Sequence, residues 1–207
     1  MAYKAPADGI LEDAKKIAVL AAPARIEIVS MLEALGGTAT VAALAAQLGR
    51  PADGLYYHLR ALVGAGLIEE DAGSGGGRRY RSTSPRGQRL RLRYKPGATA
   101  NAKAVGRVAA SVSRLAQRDF ARALSQGGTV VEGPSRELWA ARLRGWLDAA
   151  ALAEVNRLLR SLTELFDRSR PTRTGKIIAL QWILAPIDAM PARRSAAGKS
   201  ATRRRSR

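Results

Sequence analysis

Side chains suited to contacting nucleic acid are concentrated in two short stretches of this 207-residue chain. The first stretch carries Tyr56, Tyr57, His58 and Arg60, and the second, residues 78–95, holds eight cations and no acid. Polar side chains on a helix can hydrogen-bond to base edges in the major groove of DNA. Arginine forks suit phosphate oxygens, and each neutralised phosphate releases counterions. The two stretches together predict a surface that contacts both bases and the phosphate backbone.

Metal binding and catalysis are not favoured by the residue content. The chain has no cysteine, which excludes disulfides and thiolate metal sites, and its one histidine, His58, is better explained as a groove-facing or surface side chain. The glycine-rich residues 73–77 lead into RRYRS rather than into a helix, so they indicate a hairpin tip and not a nucleotide-binding loop. With no paired nucleophile and base, the sequence predicts neither an enzyme nor a cofactor.

Residues 40–67 are predicted to form two short helices joined by a tight turn, which would position the first stretch. Thr40 suits the start of the first helix, because its hydroxyl can accept a bond from an early backbone N–H. Gly49 suits its end and Pro51 the first turn of the second helix. A stripe of leucines, Leu55, Leu59 and Leu62, would bury one side of that second helix. Its polar and aromatic side then faces outward, as reading a major groove requires.

The flanking residues complete a fold that is mainly α with a small amount of β. Pro23 opens an upstream helix over residues 23–35. Residues 67–71 and 78–82 are predicted strands around a glycine-rich turn, which is typical of a hairpin. Helix, helix-turn-helix and basic hairpin together predict a winged helix-turn-helix domain, followed by a helical C-terminal region.

Four segments occur in the order and at the separations of a known family: PARIEIVSMLEAL, TVAALAAQLG, GLYYHLRALVGAGLIEE and GSGGGRRYRS. With these segments, residues 20–95 resemble the DNA-binding domain of the ArsR-like winged-helix transcription regulators. The resemblance implies that residues 56–59 lie in the recognition helix and that the hairpin wing lies near the phosphate backbone. Metal sensors of this family use cysteines and clustered histidines, which this chain lacks, so metal sensing is not implied.

The residues predicted to contact DNA fall into three groups. They are Asp53, Tyr56, Tyr57, His58 and Arg60 on the recognition helix, Arg78, Arg79, Tyr80 and Arg81 in the wing, and Thr40 and Arg50 at the helix start. The wing arginines could also form a merely solvated surface, but their attachment to a wing and the aromatic residues between them favour phosphate contact.

The C-terminal half is predicted to be mostly helical. Helices are expected over residues 9–21 and 100–124. Residues 136–147 place Trp139, Leu143 and Trp146 on one stripe at helical spacing, which predicts a further helix. A further helix follows residue 148 and resembles the helical C-terminal region of some regulators of the same group. Residues 177–184, IIALQWIL, are apolar on both faces and predict a buried strand. The tryptophans at 139, 146 and 182 would form structural core or, alternatively, line a pocket for a small-molecule effector.

The predicted organisation is a winged helix-turn-helix domain with its leading helix (1–95), a dimerisation or effector region (96–187) and a disordered basic tail (188–207). The formal net charge of +18 points to a polyanionic partner. Residues 191–207 carry seven cations and no acid, so the tail is either a non-specific DNA arm or a solubilising end. No apolar run approaches the ~20 residues that cross a bilayer, and no signal peptide is evident, so a cytoplasmic protein without membrane partners is expected.

The function predicted from the sequence is that of a dimeric, sequence-specific DNA-binding transcriptional regulator, more specifically a repressor. Its expected partners are double-stranded DNA and a second copy of the chain. The main alternative is an architectural protein that binds DNA without sequence preference. Two further alternatives are an enzyme with a winged-helix appendage and a winged helix that binds protein instead of DNA. The lack of catalytic groups disfavours the enzyme, and the positive charge of the winged-helix domain disfavours protein binding.

Overall fold

The computed structural model describes residues 9–72, 78–85, 88–169 and 175–187. The helices are α1 (Ala14–Val19), α2 (Pro23–Ala34), α3 (Val41–Leu48), α4 (Asp53–Gly64), α5 (Thr99–Leu124) and α6 (Ala149–Ser169). The strands are β1 (Ile10–Leu11), β2 (Thr38–Thr40), β3 (Ile68–Ala72), β4 (Arg78–Ser82) and β5 (Arg91–Leu92). The predicted fold class is confirmed: a winged helix-turn-helix domain with a small sheet is followed by a helical region.

The two helices of the helix-turn-helix begin and end largely as predicted. The Thr40 hydroxyl oxygen accepts a 3.1 Å bond from the N–H of Ala43, which caps α3. Gly49 ends α3 in the left-handed conformation, with φ of 61°, where a Cβ would be strained. The prediction that Pro51 lies in the first turn of α4 is wrong by two residues. The carbonyl of Pro51 instead accepts a bond from the N–H of Gly54, three residues on, in a tighter turn before the helix.

A three-stranded antiparallel sheet forms the wing, with the strand order β2-β4-β3. Tyr80 in the middle of β4 pairs with Ala39 of β2 and with Glu70 of β3. Its side chain is 1 % exposed and belongs to the hydrophobic core. The predicted hairpin tip, residues 73–77, lies outside the described residues.

The long helix α5 packs onto the winged helix-turn-helix rather than standing apart from it. Ala104 and Val108 belong to the same core cluster as the leucines of α2 and α4. Two buried polar side chains fix its position. Ser111 donates a 2.6 Å bond to the carbonyl of Ala21, and Asn101 accepts a 2.9 Å bond from the N–H of Lys95.

The predicted leading helix over residues 9–21 is shorter in the structure. Ile10 and Leu11 pair in parallel with Arg91 and Leu92, and α1 begins only at Ala14. The physical reason is the carboxylate of Asp13, which accepts a 2.7 Å bond from the N–H of Lys15 and so caps the helix at that point.

Two predictions for the C-terminal region are wrong. Residues 136–147 form no helix and residues 177–184 form no buried strand; both run as irregular chain. The apolar pattern identified side chains that require burial. No other layer of the described structure packs on them, so the predicted helix and strand are not stabilised. The helix predicted after residue 148 is confirmed as α6, whose first turn is capped where the Asp148 carboxylate accepts a 2.8 Å bond from the N–H of Ala151. The predicted tail, residues 188–207, lies outside the described residues.

Candidate nucleic-acid interface

The outward side of α4 combines an acid, an aromatic ring and a guanidinium. Leu55, Leu59 and Leu62 are 1 % exposed or less, as their spacing predicts, and hold the opposite side of the helix on the core. Asp53, Tyr57 and Arg60 are exposed. These three positions are four and three residues apart, so their side chains lie on one side of the helix. The core therefore presents a row of side chains with both hydrogen-bond donors and acceptors.

Tyr56 and His58 flank this row and are only partly accessible. Tyr56 is half-buried and packs against the core cluster. Burial lowers the pKa of His58 below its ordinary value of 6.5, and the positive charges of Arg25 and Arg50 lower it further. The Nδ1 atom of His58 is buried without a hydrogen-bond partner among the described residues. Both effects favour the neutral imidazole, which lies at the margin of the row.

Arg25, at the start of α2, is a neighbour of this row that the sequence analysis missed. Its guanidinium carbon lies 5.8 Å from the centroid of the Tyr57 ring, and its Nη1 donates a 3.0 Å bond to the carbonyl of Val19. The rings of Tyr57 and His58 meet edge to face with centroids 5.3 Å apart. Arg25 lies in a helix that the sequence predicted, but no sequence signal showed that the first turn of this helix lies beside Tyr57.

Arg50 lies in the turn between α3 and α4, where the sequence predicted a DNA contact. Its Nη2 atom is 2.6 Å from Oε2 of Glu27 on α2. The other carboxylate oxygen of Glu27 is 2.5 Å from Nη2 of Arg118 on α5. Glu27 is mostly buried, with a side chain 13 % exposed, whereas Arg50 is 37 % exposed. The carboxylate thus links the turn between α3 and α4 to the long helix α5, over a sequence separation that no local pattern reveals.

The wing presents exposed arginines whose charges are partly balanced by the neighbouring strand. Arg81 lies 2.6 Å from Glu69, and Arg78 lies 3.4 Å from Glu70. All four side chains are at least 42 % exposed, and exposed ion pairs contribute little, about 0–1 kcal/mol. Phosphate can therefore replace these acids at small cost. Arg79 is also exposed, on the face of β4 opposite to Tyr80.

Two predicted site residues, Tyr80 and Thr40, use their side chains within the fold. Tyr80 was expected to contact DNA, but its ring is buried between the strands and the helices, so this prediction is wrong for the described conformation. Thr40 uses its hydroxyl oxygen to cap α3, which leaves the hydroxyl proton for donation.

The three tryptophans do not form a core. Trp139, Trp146 and Trp182 are 71 %, 91 % and 44 % exposed. The guanidinium of Arg136 lies 4.2 Å from the ring centroid of Trp139. The structural-core interpretation is therefore wrong for the described chain, and an effector pocket between these rings stays a prediction.

Among the residues that the structure describes, no group of three or more acidic, histidine or cysteine side chains is placed to hold a metal ion. In the same ranges, no helix combines the length and the apolar character needed to cross a membrane.

Comparison with known proteins addresses the first part of the chain. Residues 20–71 match a family model described as a helix-turn-helix domain. Neither a curated protein nor a solved structure matches the chain. The matched range includes α2, α3, α4 and most of β3, and it therefore contains the exposed row on α4. The match supports DNA binding and a role in regulating transcription.

Proposed function

We propose that this protein, with its helix-turn-helix domain, is a homodimeric, sequence-specific transcriptional repressor. The observation that carries the proposal is the row of Asp53, Tyr57 and Arg60 on α4, held on the core by three buried leucines. In this proposal the row enters the major groove and the wing arginines contact phosphates beside it. Repression would follow from occupation of a promoter.

Each side chain of the row offers a distinct contact with a base edge. The Arg60 fork can donate two bonds to O6 and N7 of a guanine, and the Asp53 carboxylate can accept a bond from N4 of a cytosine. The Tyr57 ring can lie against a thymine methyl group while its hydroxyl bonds to a base edge or a phosphate. A surface with these donors and acceptors discriminates between bases, whereas a uniformly basic surface does not.

A homodimer would place two copies of α4 on one face of the duplex. Two-fold symmetry then requires an approximately palindromic site, with half-sites about 34–36 Å apart, which is one helical turn of DNA. In this proposal residues 1–95 carry the DNA-contacting surface and residues 96–187 carry dimerisation. We further propose that a small-molecule effector binds this second region.

An architectural protein that coats DNA is the second candidate, and the net charge of +18 favours it. Its affinity would depend on the number of phosphate contacts and hardly on sequence. The two candidates differ in what the protein selects from a mixture of sequences.

Selection from a random pool of double-stranded DNA by the full chain tests the proposal. We expect enrichment of one palindromic motif with half-sites one turn apart. The double variant Tyr57→Ala, Arg60→Ala should bind DNA but lose that enrichment, whereas Arg107→Ala, which removes an exposed arginine from α5, should keep it. A wild-type pool that remains random after selection would reject the regulator and support the architectural protein.

A further inference from the structure

An extended apolar surface occupies the C-terminal part of the described structure. It consists of the exposed apolar side chains within residues 138–147 and 176–187 and on the apolar side of α6, and we call it the C-terminal apolar surface. Leu143 and Trp146 are each 91 % exposed, and α6 is amphipathic but buries none of its residues. Soluble monomers rarely expose contiguous apolar patches larger than a few hundred Å². A surface of this extent therefore indicates a missing protein layer.

The two irregular segments of this surface begin side by side. Nζ of Lys176 lies 2.7 Å from Oε1 of Glu137, which brings the start of the second segment to the start of the first. The 21 residues of α6 between them span roughly 31 Å. Ten extended residues span roughly 33 Å, so the helix returns the chain by about the length of one segment. This is the connection that two parallel strands require, yet among the described residues neither segment belongs to a sheet.

The second segment carries apolar side chains on both of its alternating faces. Ile178, Leu180 and Trp182 are 44–46 % exposed on one face, and Ile183 on the other face is 63 % exposed. A strand that is apolar on both faces needs a covering layer on each side. One helix, α6, can cover one face only. In the described ranges the other helices already pack on the winged-helix core, so none of them supplies the second layer.

The apolar sides of α1 and α5 are used within the chain and are not free to form a dimer interface. The apolar side of α1 packs against α5, where Ile17 is fully buried and Leu115 is 6 % exposed. Of the surfaces that the structure describes, the C-terminal apolar surface is thus the one that retains enough apolar area for a stable partner.

We propose that a second copy of this chain covers the C-terminal apolar surface, and that segments 138–147 and 176–187 of the two copies pair into one intermolecular sheet. This inference rests on the homodimer of the proposed function and assigns its interface. Since a buried aromatic side chain removes about 150–250 Å² from water, the exposed parts of the three tryptophans represent roughly 400 Å² per copy. A standard interface takes roughly 800 Å² from each partner, and the aliphatic side chains of the same segments supply the remainder. Free backbone groups of one copy would pair with those of the other.

Intrinsic fluorescence tests the inference directly, because all three tryptophans of the chain lie in this surface. The full chain would be measured over a dilution series by light scattering and by tryptophan emission. We expect the mass of two chains together with blue-shifted emission, and a shift to red emission as dilution gives the mass of one chain. A dimer with water-exposed tryptophans would place the interface elsewhere, and a monomer with shielded tryptophans would show internal packing; either result overturns the inference.

Matched variants locate the interface. Leu180→Lys adds a charge to the second segment and should give a monomer with red-shifted emission. Leu124→Lys, at a 62 % exposed position on the last residue of α5, should remain a dimer. If Leu180→Lys loses its helical circular dichroism, Trp146→Glu carries the test, because a side chain 91 % exposed in the single chain is not needed to fold it. A Trp146→Glu chain that remains a dimer rejects the interface.

The same series separates this inference from the proposed function. A dimer with shielded tryptophans that selects no DNA sequence would contradict the regulator and leave the interface in place. A monomer that selects a single half-site would support DNA recognition and contradict the interface.

Discussion

The apolar side chains of the described residues up to 124 are largely buried, whereas many of those in residues 136–187 are exposed. Ile28, Leu32 and Leu59 in the first region are completely buried, whereas Leu143 and Trp146 in the second are 91 % exposed. The first region contains every layer that its own sheet and helices need, including the long helix α5. The second contains a helix and two apolar segments that no layer of the described residues covers. The comparison is consistent with our proposals that the first region of a single chain carries the DNA-contacting surface and that a second copy covers the C-terminal region.

Truncating a core leucine should produce the largest effect and should separate the two regions. Leu59→Ala is expected to lower the free energy of unfolding by about 2–5 kcal/mol, because it removes a buried side chain and leaves a cavity. Leu143→Ala should matter only at concentrations where the dimer forms, since the single chain exposes that side chain. Urea denaturation at several protein concentrations measures both. A concentration-independent loss of similar size for Leu143→Ala would mean that the two regions do not differ.

The next largest effect is expected on the outward side of α4. Arg60→Ala should cost about 1–3 kcal/mol of binding free energy on the selected site if its guanidinium contacts a base. The loss on scrambled DNA should be small, and Arg107→Ala on α5 serves as the charge-matched control. Titrations on both sequences measure the difference. Equal losses on both would assign Arg60 to the backbone.

In the wing the expected effect is smaller and depends on the ion pairs. Arg79→Ala should weaken binding to all sequences and lower the slope of affinity against salt by about one unit. Arg81→Ala should change affinity less, because Arg81 must first leave Glu69, its partner at 2.6 Å. Titrations at several salt concentrations test this order. An unchanged slope for Arg79→Ala would remove it from the phosphate contacts.

The smallest effect concerns the pH dependence of stability. The folded pKa of His58 lies below its ordinary value of 6.5 because of burial and of Arg25 and Arg50. As the pH falls, the unfolded chain therefore takes up the proton at a higher pH than the folded chain does. The contribution of His58 to the free energy of unfolding is thus fully present above pH 6.5 and is lost as the pH falls through the folded pKa. His58→Gln should flatten the stability profile in that window without changing it at pH 8. An unchanged slope below pH 6.5 would mean that the imidazole is better solvated than its burial indicates.

Local signals predicted the helix-turn-helix, because its elements follow from caps, helical periodicity and glycine positions within a few residues. Thr40, Gly49 and the leucines of α4 act over distances of one or two helical turns. Tyr80 was assigned to DNA because it lies between arginines, but strand alternation turns it inward, opposite to Arg79. This error could have been avoided, since the period of two along β4 separates the tyrosine from its exposed neighbours.

Other features depend on contacts between distant parts of the chain. The Glu27 carboxylate joins Arg50 and Arg118, which are 23 and 91 residues away from it, and no spacing rule connects such positions. For residues 136–147, the spacing of the apolar side chains showed that they require burial, but it could not show whether the segment forms a helix. A run that is apolar on both faces, as at 177–184, shows that burial is required but not whether the same chain or another provides it.

The ratio of specific to non-specific affinity for the full chain tests the central claim most directly. It would be measured at one fixed salt concentration near 0.15 M, on the selected palindrome and on a scrambled duplex of the same length and composition. Specific regulators bind their sites at least about 10³-fold more tightly than random DNA, and we expect a ratio in that range. A ratio near one, with tight binding to both duplexes, would contradict sequence-specific recognition by α4 and identify the chain as a protein that coats DNA.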